Sequence, residues 1–183
     1  MERRVNTSRI LMILFTLLLI WCALQFLAPI MLPSNSIRNL TGLPGVEDNV
    51  MVIRRLSFPW NIVYSIGDRL CHQKASRSLF INGNQMPFCA RCTGIWIGLA
   101  IGLGVSIIYK FELSQRLFIL IITCIIPLVV DGTGQLVGLW ESNNPLRLVT
   151  GVTAGVVTGV AISVIVDGFR EEFFQKLYKY NGF

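Results

Sequence analysis

Four residues near the middle of the chain carry the donor set of a metal centre: Cys71, His72, Cys89 and Cys92. A Cys-x-x-Cys pair such as Cys89-Ala90-Arg91-Cys92 can chelate one ion from a single turn, and a further thiolate and imidazole complete the tetrahedral shell that zinc prefers. Adjacent Cys71 and His72 point in different directions on a helix or a strand. If only one of them binds, a coordination position stays open, as a catalytic zinc requires. The same residues suit redox chemistry. Cys89 and Cys92 open a predicted helix, whose dipole, helped by Arg91, favours the thiolate, so they can serve as a dithiol with Cys71 as exchange partner and a quinone as electron acceptor. In a third reading the cysteines only staple a loop, by a disulfide or a structural zinc, in a transport or scaffold protein. No histidine follows Cys92, so c-type haem attachment is unsupported, and His72-Gln73-Lys74 lacks the glutamate of the zinc deaminases.

A second polar group follows in Asp131-Gly132-Thr133-Gly134-Gln135 and Glu141-Ser142-Asn143-Asn144-Pro145-Leu146-Arg147. Asp131 ends a long apolar run, where a carboxylate is costly unless it is paired or functional, which makes it the candidate catalytic acid or base. Gln135, four residues on, shares its helix face. Gln135, Asn144 and Arg147 are the candidate substrate-binding residues. Arg147 at a helix start suits a phosphate or carboxylate, a lipid headgroup included. The blander expectations are that Asn144 caps the last helix with Pro145 at its first position, that Gly132 and Gly134 allow a bend, and that Arg147 pairs with Asp131 or reaches to headgroups.

These residues need a scaffold, and composition says which kind. Of 183 residues 53% are hydrophobic and 14% charged, too few charges to clothe a water-soluble domain, so the expected fold is an all-α integral membrane protein. Four apolar stretches are long enough to cross a bilayer: Ile10 to Leu32, Cys89 to Lys110, Leu117 to Val137 and Pro145 to Val166. The first is too long for a cleaved signal and is expected to be an uncleaved anchor. Cys22 and Cys124 fall inside spans and are expected to be packing residues. Gly94, Gly98 and Gly102 in the second span and Gly151, Gly155 and Gly159 in the fourth form small-residue stripes that predict close contact between those two helices.

Between the first two spans lies a 56-residue connection, residues 33 to 88, expected to be structured. After Ser57 and Pro59, the spacing of Trp60, Val63, Ile66 and Leu70 predicts an interfacial helix ending at Cys71. Asn82-Gly83 between short apolar runs predicts a hairpin that returns the chain from Cys71 and His72 to Cys89 and Cys92. With four spans, Cys89, Cys92, Asp131, Gln135, Asn144 and Arg147 all meet one membrane face.

Cys71-His72-Gln73, Arg77-Ser78, Gly83, Pro87, Cys89-Ala-Arg-Cys-Thr-Gly94, Asp131-Gly132-x-x-Gln135 and Ser142-x-Asn144-x-x-Arg147-x-x-Thr150-Gly151 together resemble the uncharacterised prokaryotic membrane proteins grouped as domain-of-unknown-function family 2085. The resemblance covers roughly residues 65 to 166 and departs only at Thr133-Gly134, where the family pattern sets threonine directly before the glutamine. It implies a small helical integral membrane protein and no particular reaction. That both signature segments are the two polar groups supports treating them as one site.

The expected organisation is therefore an N-terminus and first span at 1–32, the loop at 33–88, spans two to four at 89–166 and a tail at 167–183. Arg3, Arg4, Arg9, Lys110, Arg116, Arg170, Lys176 and Lys179 place both termini in the cytoplasm and the polar signatures on the extracytoplasmic face of the cell membrane. Arg38, Arg54, Arg55, Arg69, Lys74, Arg77 and Arg91 weigh on the other side, mostly within the long loop, where the rule is weaker. The expected partners are the bilayer and an anionic lipid or small-molecule substrate. The basic residues form no dense run of the kind that tracks nucleic acid.

Overall fold

Among the described residues four helices are long and apolar enough to cross a membrane: α1 (Arg9–Met31), α4 (Ala90–Ile108), α5 (Gln115–Leu136) and α6 (Asn144–Tyr180). Between α1 and α4 lie the short α2 (Val50–Ile53), α3 (Trp60–Leu70) and an antiparallel hairpin of β1 (Ser78–Ile81) and β2 (Asn84–Cys89). The computed structural model describes residues 9 to 180, with side chains to residue 170. Arg3 and Arg4 and the side chains of Lys176 and Lys179, used above for sidedness, lie outside the described residues. Where a tail was expected from residue 167, α6 runs on to Tyr180. Charge ends the apolar span there, but no proline stops the helix.

The glycine stripes meet as their spacing predicts. A methyl group at Gly98 would stand 2.2 Å from the Val152 carbonyl, at Gly102 2.2 Å from the Val156 carbonyl, and at Gly155 2.4 Å from the Ile95 carbonyl. The two backbones are thus in direct contact, with Gly98 facing Gly155 and Gly102 facing Gly159. The paired numbers rise together along both helices, so α4 and α6 are parallel and begin at the same end of the bundle. Their contact gains dispersion energy that larger residues would hold apart, the packing mode open to helices in lipid. α5 returns the chain between them with much of its apolar surface outward, including Phe118, Ile122, Ile126 and Val130, as lipid contact requires.

The loop is built on buried amides. Asn82 (φ 53°) and Gly83 (φ 70°) both take left-handed conformations, the requirement of a two-residue type I′ hairpin turn. Asn84, fully buried behind the turn, is satisfied on every side. Its Oδ1 accepts from the Ile37 amide at 2.9 Å and the Ser36 hydroxyl at 3.2 Å, and its Nδ2 donates to the carbonyls of Pro29 at 2.9 Å and Pro33 at 3.0 Å. Tyr64 on α3 donates its hydroxyl to the Gln85 carbonyl at 2.6 Å. Ala28, Leu32, Ile37, Leu40, Ile53, Val63 and Tyr64 pack beneath as an apolar core joining the end of α1 to the loop.

Replacing Gly98 by Ile should separate α4 from α6 and lower stability in detergent by roughly 1–3 kcal/mol or more, the usual cost of overpacking. Gly168→Ala, where an added methyl meets nothing within 4 Å, is the control and should leave the melting temperature nearly unchanged. Equal melting of the two variants would refute the packing account.

Candidate functional site

Cys71 follows the last residue of α3, Cys89 ends β2 and caps α4, and Cys92 lies in the first turn of α4. The hairpin register sets Ser78 opposite Cys89, which brings the chain that has just left Cys71 back alongside it. The approach is held by Gln73, fully buried at φ 41°, whose Nε2 donates to the Pro87 carbonyl at 2.7 Å. Gly67 allows it, because a side chain there would collide with that carbonyl. Gln85 completes the clamp by donating to the Gln73 carbonyl.

The three sulfurs lie within 4.8 Å of one another, and the Cys89 amide donates to Cys71 Sγ at 3.4 Å. Hydrogen bonds from Cys71 and Cys92 hold the Cys89 thiol well below the ordinary thiol range. The Cys71 thiol, bonded to the Cys89 sulfur, is pushed up in turn. Around the sulfurs Trp21, Phe88 and Trp96 pack edge to face, with ring centroids 5.9 to 6.2 Å apart, and shut water away from one side. His72 stands outside the 4.8 Å group, close enough to act on Cys89 through its charge, and its Nδ1 is buried without a hydrogen-bond partner.

The second polar group adjoins the first, but its pairings differ from those expected. Asp131 binds Arg91, not Arg147: Arg91 Nη2 donates to Asp131 Oδ2, and the Ser142 and Trp140 side chains stand beside the same buried carboxylate as further donors. Arg91 stands one residue before Cys92, so this ion pair ties the cysteine turn to α5. α5 continues as a helix through Asp131 to Leu136, so Gly132 and Gly134 do not break it. Instead Gly134 leaves room for the Trp140 ring, and Gly132 leaves room near Arg91.

The cap of α6 is Asn143, whose Oδ1 accepts from the Leu146 amide at 2.8 Å, and not Asn144. Asn144 is thereby released for two other tasks. Its Oδ1 accepts from Arg147 Nη1 at 2.9 Å, and its Nδ2 donates to the Ser78 carbonyl at 3.1 Å, tying α6 to the hairpin. Arg147 does not reach for headgroups, being 2% exposed. Gln135 Oε1, in the amide orientation that satisfies it, accepts from Arg147 Nη2 at 2.5 Å and Arg77 Nη2 at 3.2 Å. Arg147 also lies within electrostatic reach of Arg91, Asp131 and Cys89, so the cysteine and arginine groups form one neighbourhood.

Asp131, Gln135, Asn144 and Arg147 thus converge at one end of the bundle with Cys71, Cys89 and Cys92. Sequence reasoning gave no site role to Arg77, Arg91, Gln73 or Gln85. Arg77 and Gln73 lie within the signature segments, which was the available signal; Arg91 was read only as an aid to thiolate formation.

Four apolar helices with a polar, cysteine-bearing cluster at one end define a polytopic membrane protein. The chain belongs to the family of predicted membrane proteins designated DUF2085, whose profile matches residues 71–175. It is 38% identical over 121 residues to an uncharacterised protein of Methanocaldococcus jannaschii, covering 64% of this chain and 72% of that protein. Similarity to an uncharacterised protein of Methanothermobacter thermautotrophicus is 34% over 96 residues, covering 52% and 86% respectively. No solved structure matches the chain.

Asp131→Asn and Arg91→Gln should each lower the melting temperature in detergent, and the double variant should lose less than the two losses combined. The coupling expected for a contacting charged pair is on the order of 1 kcal/mol. Strict additivity would mean that the pair contributes nothing.

Proposed function

We propose that this protein is a metal-dependent membrane enzyme whose ion, zinc by the chemistry of the donors, is held by Cys71, Cys89 and Cys92 on the extracytoplasmic face. The observation that carries this reading is the gathering of three sulfurs, from two segments of the chain, within 4.8 Å beside a group of aromatic rings. Tetrahedral zinc thiolate with bonds of about 2.3 Å sets sulfurs about 3.8 Å apart, so a small contraction suits the trio to the ion. The amide of Cys89 on Cys71 Sγ supports it further, since such a bond steadies a thiolate ligand. His72 is the candidate fourth ligand. Without it, the fourth position is open to water or substrate.

When bound, zinc supplies a Lewis acid that polarises an oxygen of the substrate or of water. The protein's residues do the rest. Arg147, splinted by Asn144 and Gln135, orients an anionic substrate, and Asp131 accepts or donates a proton at its carboxylate. Arg91 holds that carboxylate in place.

A second reading, a thiol-disulfide oxidoreductase with a quinone as acceptor, is favoured by one observation: the Cys89–Cys92 pair opens α4, with the Cys71 sulfur close enough to serve as exchange partner. One experiment separates the two. Protein purified anaerobically should carry about one metal ion per chain, lost in Cys89→Ser and Cys92→Ser. Metal-free protein whose Cys89 and Cys92 pass reversibly between dithiol and disulfide would overturn the metal reading in favour of the redox one. If metal is present, Asp131→Asn should retain it, because Asp131 acts on substrate rather than on the ion.

A further inference from the structure

We propose that Arg77, Arg91 and Arg147 form a binding site for a tetrahedral oxyanion of the phosphate class, carried by a phosphomonoester or by free phosphate. The site stands on its own residues, whether or not the cysteines hold a metal.

The first support is a charge imbalance where imbalance is costly. Three guanidiniums converge: Arg147 and Arg77 share the Gln135 oxygen, and Arg91 lies within electrostatic reach of Arg147. The carboxylate set against them is Asp131, already bonded to Arg91. That leaves two guanidiniums facing neutral amides, with the Cys89 sulfur within electrostatic reach as the other group that can carry negative charge. Arg147 is 2% exposed, too deep for bulk water to stabilise its charge cheaply. Furthermore, α4 and α6 are parallel neighbours that begin here, so the positive ends of two helix dipoles add to the same field.

The second support is the way the arginines are held. Arg147 Nη1 and Nη2 are fixed by neutral amides, Asn144 and Gln135, which set the orientation of the guanidinium plane without cancelling its charge. Its Nε, and that of Arg91, are buried donors with no hydrogen-bond partner. A purely structural arginine at this depth would be met by a carboxylate. Here rigid, partly unsatisfied forks are kept charged, which is how a protein presents arginine to an anion.

The third support concerns the ligand's shape. The guanidiniums come from three different elements, the turn before β1, the first turn of α4 and the first turn of α6. A planar carboxylate satisfies one fork bidentately and brings one negative charge. A phosphate monoester offers three oxygens in three directions, matching the number of forks, and carries more negative charge than a carboxylate. Arg77, half-buried, and Arg91, 20% exposed, leave a way in from the surface. The same headgroup chemistry is offered by a phosphomonoester lipid such as phosphatidic acid.

The test uses the full chain in nanodiscs of phosphatidylcholine. Equilibrium binding of radiolabelled inorganic phosphate is one arm; the other is native mass spectrometry of protein reconstituted with phosphatidic acid. Arg77→Gln and Arg147→Lys are the variants, the second keeping the charge but losing the fork. Loss of one charge-assisted contact should weaken binding by about tenfold or more. Phosphate binding weakened in Arg77→Gln identifies a water-borne ligand, and retention of phosphatidic acid alone, lost in the variants, identifies a lipid; either result supports the site. If Arg147→Lys does not fold, Arg77→Gln decides, because Arg77 lies outside the helix contacts. Wild type that binds neither probe better than folded Arg77→Gln overturns the proposal. Metal content measured on the same samples keeps this outcome separate from that of the metal reading.

Discussion

Gly98 and Gly102 on α4 and Gly155 and Gly159 on α6 bring two parallel backbones into contact, and most of what is distinctive about the molecule depends on it. Antiparallel helices at such closeness would offset each other's dipoles. Parallel ones add them, and hydrocarbon has no water with which to screen the sum. Two helix N-termini therefore coincide at one end of the bundle, with their first-turn amides lacking helical partners. Side chains must complete that end. Gly151 carries the consequence into the site, because its lack of a side chain lets the Arg91 carbonyl approach α6 and sets Arg91 and Arg147 side by side.

The loop answers a different constraint. A connection of this length next to a membrane has many backbone groups and few strands to pair them with, and each one buried without a partner is expensive. Here Asn84, Gln85 and Gln73 act as the missing strands. Asn84 binds four backbone or hydroxyl groups from the end of α1 and the segment after it, and Gln85 receives the Leu40 amide at 2.9 Å while donating to the Gln73 carbonyl. The result fixes Cys71 before any ligand is considered, so its distance from Cys89 is a property of the loop's hydrogen bonding.

The elements that sequence periodicity encodes were legible. The four spans, the glycine contact, α3 and the Asn82-Gly83 hairpin all rest on local patterns, and all are present. Partner choice was not legible, for reasons visible at particular residues. Asn143 and Asn144 are equally good caps by type; the cap went to Asn143 because Arg147, one turn on, needs the Asn144 oxygen. Asp131 had two arginines within reach, and spacing along the chain carries no information about which rotamer closes the pair. His72 is adjacent to Cys71 in sequence, yet adjacent side chains diverge, and only Cys71 joined the close sulfur group. Arg77 was hidden by its place in the loop, because its neighbour across the site, Gln135, is on another helix.

The cysteine and arginine groups have to be understood as one electrostatic unit. A thiolate in this cysteine group is disfavoured beside aromatic rings unless positive charge is near, and Arg147 is within electrostatic reach of Cys89. Conversely, a guanidinium as buried as Arg147 is disfavoured among Arg77, Arg91 and two helix N-termini unless negative charge is near. Each group lowers the cost of the other. Asp131 adds one carboxylate to that exchange and uses it to hold Arg91, and with it the first turn of α4, against α5. Removing charge from either group should therefore be felt in the other, through the shared field, even where no contact is lost. This is a reason for two unlike chemistries to occupy one end of a small membrane bundle: where water is shut away from one side, a thiol that can ionise and guanidiniums that stay charged each make the other less costly.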